Sequence, residues 1–472
     1  MRKRVTLFLA ASLLLAQAPR PDTRALGAIT AGGLKGDLSF LASDLLEGRG
    51  TPSRGQDIAA EFIASRFRAA GLEPAGDDDY FQTAHMVLQR PRTEGAWLAV
   101  HHGKKTITVS ADKIGAMAEG GLDIAGAAVV KVDLAAGNQD TTGLKGKVVV
   151  AGFGGAGSGG IRRLQQSGVA MILLPGRLPM RRMAPRPLDP SRPKSAPMMF
   201  ADDDALRTLV NELPPGPASI TVDAKLPRPE ETPVKLRNVV GVLRGSDPVL
   251  RESFVIVSAH YDHLGVDSSG SGDTIYNGAN DDASGTASLI GIAQALSALP
   301  ARPRRSVVFL AVFGEELGLL GSRYYADHPV LPLAKTVADL NLEQTGRTDE
   351  QGGPVLKRIR ITGEDYSDVV KTLDRAGELT GVRVDHEPQR SDDYFARSDN
   401  LTFAERGIPA HTVCVAYTYP DYHGVGDHWD KIDYENMAAV TRTLAEAVLL
   451  LADAPEGPHW NRDNPGALRY RR

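Results

Sequence analysis

The chain has 472 residues, long enough for two or three packed units. Apolar content is ordinary at 42%, and a net charge of −4 argues against a nucleic-acid-binding surface. The single cysteine, Cys414, excludes an intrachain disulfide framework and a thiolate zinc cluster.

Taken in chain order, Arg2, Lys3 and Arg4 precede an apolar run, 5–16, that is too short to span a bilayer comfortably. Ala16-Gln17-Ala18 then offers a small-x-small cleavage site, with Pro19 unfavourably placed after it. Residues 1–18 therefore read as a signal peptide, and the protein as exported, either periplasmic or secreted. An uncleaved anchor is the alternative. No stable membrane span is expected once the signal is removed.

Residues 19–95 read as the first part of the main domain. The stretch 37–70 is helical in pattern, with Ile58, Phe62, Ile63 and Phe67 on one stripe and Gly71 as the stop. Residues 96–228 differ: short β-type runs at 97–100, 127–130 and 147–151 are separated by Gly and Pro. The segment 178–197, rich in Pro, Arg and Met, reads as a surface loop, and 227–233 as a linker. From 236 to 455 strands alternate with helices. Continuous apolar runs at 254–259 and 307–313 suit strands covered on both faces. The runs 287–299 and 432–451 read as helices, and Cys414 falls in an apolar strand-like run, 408–415. This alternation predicts an α/β/α sandwich with a mainly parallel central sheet. In such sheets sites form beyond the carboxyl ends of the strands. The tail 456–472 is polar and reads as loosely ordered.

Five segments put His, Asp or Glu after an apolar run or in a loop. They are His260-Tyr261-Asp262, Asn280-Asp281-Asp282-Ala283-Ser284-Gly285, Gly314-Glu315-Glu316, Asn341-Leu342-Glu343, and Tyr422-His423 followed by Asp427. Singly, each is more often a structural residue or a solvated helix start than a site. Together they supply imidazole and carboxylate without thiolate, a set suited to a catalytic zinc or a similar first-row divalent ion.

In order and content these segments resemble the M28 family of zinc aminopeptidases and carboxypeptidases, over 236–451. The stretch 38–80, with Leu46-Glu47-Gly48-Arg49, resembles the N-terminal part of such enzymes. The stretch 146–172 resembles the protease-associated (PA) domain, a small β-rich insert, here spanning 96–228. The resemblance implies two zinc ions per chain. His260 would bind one and His423 the other, with Asp281 bridging, Glu316 completing one shell and Glu343 the other. Asp262 would hold the His260 ring, Asp282 would follow Asp281 through a strained peptide bond, Glu315 would be the general base, and Tyr422 would donate to the developing oxyanion. Metals about 3.5–4 Å apart can share a water and polarise a scissile carbonyl.

Two departures from the family stand out. Many members carry Asp where this chain has Glu343, and in the wider clan Glu there goes with carboxypeptidases. Asn400, in Arg397-Ser398-Asp399-Asn400, replaces a frequent His and is expected to alter the specificity pocket. Gly152-Phe153-Gly154-Gly155-Ala156-Gly157 matches GxGxxG, but Arg177 stands where a dinucleotide site wants an acid, so the stretch reads as a loop. No GxSxG elbow is present among the residues of the chain.

The expectation is thus a dizinc exopeptidase acting on peptide or protein substrates, an aminopeptidase first and a carboxypeptidase second. A glutaminyl-cyclase-like acyltransferase and a non-catalytic peptide-binding protein remain as other classes on this fold. The first works with one zinc, and the second is expected to have lost ligands.

Overall fold

The computed structural model describes residues 23–133, 141–151, 158–178, 184–187, 195–267, 270–350 and 353–471. The candidate signal, the glycine-rich stretch 152–157 and most of the loop 178–197 lie outside them. Two compact units divide the chain: 1–82 with 237–472, and 83–236. Both boundaries fall inside strands, Phe81–Arg90 and Glu230–Leu243. The stretch expected to be a linker is therefore partly strand. Glu230, Glu231, Thr232 and Pro233 are all exposed there. An exposed strand end tolerates proline, whose missing N–H matters less at an edge, so composition alone misreads it.

The larger unit is built on a sheet whose strands, in chain order, are β1 (Glu230–Leu243, from Arg237 on), β2 (Phe254–His260), β3 (Ser306–Val312), β4 (Thr336–Leu342), β5 (Arg358–Ile361), β6 (Arg383–Val384) and β7 (Ala410–Cys414). They lie in the order β6-β5-β7-β4-β2-β3-β1. The centre is parallel: β2 pairs with β3 and β4, and β4 with β7. Antiparallel neighbours β1 and β5 flank this centre. Every residue of β2 and β3 is buried, which accounts for their unbroken apolar runs. Cys414 closes β7 as a buried, free thiol.

The helical stretch at the start resolves into α1 (Ala31–Leu41) and α2 (Arg54–Ala69), with a tight turn, Asp44–Arg49, between them. Thr30 and Ser53 cap the two helices through their side chains. The helix α3 (Ser284–Ser297) is buried on almost every side and packs against α1, β2 and the last long helix, α4 (Tyr434–Asp453). Its small first residues permit this. A side chain at Gly285 would strike the Leu342 carbonyl and the Asp282 carboxylate. The C-terminal tail is docked rather than loose. A short helix, Pro465–Leu468, forms, and Trp460, Ala467 and Tyr470 are buried with Tyr366, Phe395 and Phe403. A few apolar anchors in a polar segment suffice to hold it, because each buries a large area.

The smaller unit carries a separate sheet in the order Lys105–Val109, Trp97–His102, Gly216–Leu226, Leu122–Val132, Val148–Ala151, Met171–Pro175, Met198–Ala201 and Ile114–Met117. It has its own apolar core, including Leu98, Val100, Val148, Leu173 and Val222. Arg177 pairs with Asp202 at 2.6 Å, so its charge is already answered within the unit. Among the described residues no helix is long and apolar enough to cross a membrane.

Candidate metal centre

His260 is the last residue of β2, Glu315 and Glu316 follow β3 across the left-handed turn at Gly314, and Glu343 directly follows β4. Parallel pairing thus brings these groups to one edge of the sheet. Asp281 and Asp282 enter from the turn before α3, joined by a cis peptide bond. His423 comes from the loop after β7, with φ of 56°. Such backbone is uncommon for a residue bearing a side chain and concentrates at functional sites.

The two carboxylate oxygens of Asp281 face different imidazoles. Oδ1 lies 3.2 Å from His260 Nε2 and Oδ2 lies 3.1 Å from His423 Nε2. Glu343 Oε1 stands 3.8 Å from His260 Nε2, and Glu316 Oε2 stands 3.4 Å from His423 Nε2. All five ligand candidates therefore gather in two overlapping groups that share Asp281. Tetrahedral zinc with bonds of about 2.0–2.2 Å sets its ligand atoms roughly 3.3–3.6 Å apart. The separations, from 3.1 to 3.8 Å, bracket that spacing, and the donor types fit zinc.

The supporting contacts are specific. Asp262 accepts from Thr51 Oγ1 at 3.1 Å and from the Glu315 amide at 3.1 Å, and its Oδ1 is 3.7 Å from His260 Nδ1. The nearer partner of that Nδ1 is the Asp262 main-chain oxygen, at 3.2 Å. Asp282 accepts from the amides of Gly285 and Gln344, tying the Asp281 turn to the Glu343 loop. Asp427 accepts from the amides of Asn280 and Asp281 and from the Tyr419 hydroxyl. Ser398 donates to Glu343 Oε1 and accepts from Asn341 Nδ2 at 2.7 Å. The Tyr422 ring stacks on that of His423, with centroids 4.1 Å apart.

Charge in the cluster is dense and desolvated. Burial, reinforced by neighbouring carboxylates, pushes Glu315 and Asp282 well above the usual carboxyl range and Glu343 to about 7. Burial raises Asp281 too, but its contacts with His260 and His423 outweigh that and hold it far below its ordinary value. For Glu316, burial and Asp281 push upward, while His263 and His423 prevail and bring it to about 2. A buried group of carboxylates with opposed shifts marks a functional site.

The structure also recruits residues with no sequence-derived role. His263 lies against Glu316 and, with Asp281 and Glu316, forms a compact group of metal-type donors. The Arg49 guanidinium, 0% exposed, donates to main-chain oxygens of Tyr261, Asn277 and Gly278. The signal for His263 was its place in the run His260-Tyr261-Asp262-His263, and that for Ser398 its place in Arg397-Ser398-Asp399-Asn400; nothing short-range marks Thr51. Asn400 is buried, donates to the Phe395 carbonyl and accepts from Thr412 Oγ1, so it braces its loop.

A parallel-centred α/β sheet with paired imidazole and carboxylate groups beyond its strand ends forms a candidate metal centre. Comparison makes this specific: residues 238–448 match the model of peptidase family M28. A probable zinc metalloprotease of Leptosphaeria maculans is 28% identical over 48% of this chain and 59% of its own length. The aminopeptidase YwaD of Bacillus subtilis is 30% identical over 45% of each chain. The chain spans about half the length of the curated relatives it matches. The solved aminopeptidase from Aneurinibacillus sp. strain AM-1 has the same fold, with a TM-score of 0.58 at 21% identity over 92% of this chain and 97% of that one. BSAP, a zinc aminopeptidase from Bacillus subtilis, aligns with a TM-score of 0.53 at 19% identity over 93% and 97%.

Proposed function

We propose that the protein is a zinc-dependent exopeptidase with two zinc ions per chain, an aminopeptidase releasing N-terminal residues from peptides. The observation that carries this reading is the Asp281 carboxylate, set between the His260 and His423 imidazoles at 3.2 and 3.1 Å. His260, Asp281 and Glu343 would hold one ion, and Asp281, Glu316 and His423 the other. Bound zinc supplies Lewis acidity toward the scissile carbonyl and lowers the pKa of water. Glu315 is the general base. Burial keeps its carboxyl a strong proton acceptor, and it returns the proton to the leaving amine. Asp262, through the Glu315 amide and the His260 ring, fixes both partners at once. Tyr422, which stacks on His423, would donate to the developing oxyanion. The unit 83–236 corresponds to the PA domain in this reading, and the protein is exported.

The test is release of free amino acids from aminoacyl amides and from peptides blocked at one end or the other. Cleavage of carboxyl-blocked but not amino-blocked peptides is expected. The reverse preference would make the enzyme a carboxypeptidase, the second reading, which the side chain at Glu343 favours. Absence of any cleavage by zinc-loaded protein would overturn both.

Chelation is expected to abolish turnover, and added zinc to restore it, without change in far-ultraviolet circular dichroism. The sheet and α3 have a large apolar core independent of the metals, unlike a zinc finger, whose fold requires its ion. Collapse of the dichroism on chelation would assign the ions a structural role instead.

Glu343→Asp is expected to weaken one zinc site. Shortening the side chain withdraws the carboxylate by roughly one carbon–carbon bond, about 1.5 Å, both from His260 and from the Ser398 hydroxyl that holds it. Activity should recover partly with excess zinc, while Glu343→Ala should lose that ion. Two tightly held zinc ions in the alanine variant would remove Glu343 from the ligand set.

A further inference from the structure

His263 belongs to the loop after β2, and the five-ligand arrangement leaves it without a task. Its ring is 1% exposed and firmly seated. The His263 amide donates to the Arg49 carbonyl at 3.3 Å, and the residue forms an isolated parallel bridge with Gly50. One face of the ring presses on Gly278, where φ is 56° and a Cβ would collide with the imidazole. The ring meets that of His423 in a T-shaped arrangement, with centroids 5.7 Å apart at 70°.

From this seat, His263 Nδ1 stands 2.7 Å from Glu316 Oε1. The approach is at hydrogen-bond distance without full alignment, and among the described residues no other hydrogen-bond partner reaches either atom. Both are buried, and an unsatisfied buried polar atom costs about 1–3 kcal/mol. A small rotation of the imidazole satisfies both at once. Glu316 Oε2 meanwhile faces His423 Nε2 at 3.4 Å, on the side shared with Asp281. The separations differ in kind: 3.4 Å suits two ligands of one zinc ion, whereas 2.7 Å suits a charge-assisted hydrogen bond.

We propose that His263 is a positioning residue that holds Glu316 Oε1 by an Nδ1–H hydrogen bond, so that Glu316 binds its zinc ion through Oε2 alone. The inference rests on the dizinc reading above. It makes the two zinc sites unequal in support. Glu343 is steadied by a neutral hydroxyl from Ser398, and Glu316 by an imidazole anchored to the Arg49–Gly50 segment.

The test compares His263→Ala and His263→Asn in the full chain, loaded with zinc or cobalt(II). Zinc dissociation constants come from chelator competition, and ligand geometry from the visible cobalt spectrum. Thermal midpoints of the chelated proteins report folding separately. Loss of a partner behind a metal ligand typically weakens affinity 10–100-fold. The alanine variant should show that loss at one site only. Its cobalt absorption should weaken as Glu316 swings to bind through both oxygens. The asparagine variant, whose side-chain N–H replaces Nδ1–H, should return affinity and spectrum to near the parent values.

Unchanged constants and spectrum in the alanine variant would overturn the proposal. Complete loss of one ion without rescue by asparagine would overturn it too, and make His263 a ligand. Equal weakening of both sites alongside a fallen thermal midpoint would reduce His263 to a packing residue. If the parent protein itself bound no zinc, the dizinc reading would fail first, an outcome distinct from these.

Discussion

Glu315→Gln is expected to lower kcat by about 10²–10⁴-fold while zinc content stays at the parent level. The amide keeps the size and planarity of the carboxylate but cannot accept a proton. The main-chain tie from the Glu315 amide to Asp262 does not depend on the side chain and should persist. Glu316 next to it should also stay in place. The left-handed turn at Gly314 starts a tight helical turn in which neighbouring side chains diverge. Glu316 can therefore face His423 while Glu315 serves the water. Because the lesion is in proton transfer rather than binding, KM should move little. Parent-like turnover would remove Glu315 from the role of base. Loss of zinc would show instead that Glu315 helps to hold an ion.

Arg49→Met is expected to destabilise the fold by roughly 3–5 kcal/mol, the range for stranding the partners of a buried charge. The guanidinium donates to main-chain oxygens of Leu41, Tyr261, Asn277 and Gly278, and at 0% exposure it is out of contact with bulk solvent. Burial lowers its pKa to about 10, with Asp262, Asp282, Asp427 and Asp281 pulling it back upward, so it stays charged at neutral pH. The cation therefore stands behind an acidic cluster and stitches the β2 loop to the turn carrying Asp281. Methionine has similar bulk and none of the donors. Urea unfolding of the zinc-free variant should show a lower midpoint with an unchanged slope, and Arg49→Lys should recover only part of the loss. A methionine variant within about 1 kcal/mol of the parent would mean that these carbonyls find other donors.

The strands that lead into His260 and Glu315 were legible because central parallel strands are buried on both faces, which leaves a continuous apolar run with a polar residue after it; the strand before Glu343 was less plain, because Asp339 and Asn341 interrupt it. The helix read at 287–299 was legible from its apolar residues, although it starts three residues earlier, at Ser284, and ends at Ser297. Boundaries were less so. The strand beginning at Glu230 hides in a Pro- and Glu-rich stretch because its start is exposed, and the tail reads as loose because its anchors, Trp460 and Tyr470, are sparse.

The sequence by itself determined the chemistry on offer: imidazoles and carboxylates at strand ends, no thiolates, and a motif order matching peptidase family M28. Those features are local, and a run of a few residues carries each. Only the tertiary structure decided which oxygen of Asp281 faces which histidine, and that Thr51 and Arg49 reach the loop after β2. It also decided that Ser398 and His263 stand behind Glu343 and Glu316. These pairings depend on strand order and loop closure, which bring distant segments within a few ångströms, and no local pattern of residue types records that distance.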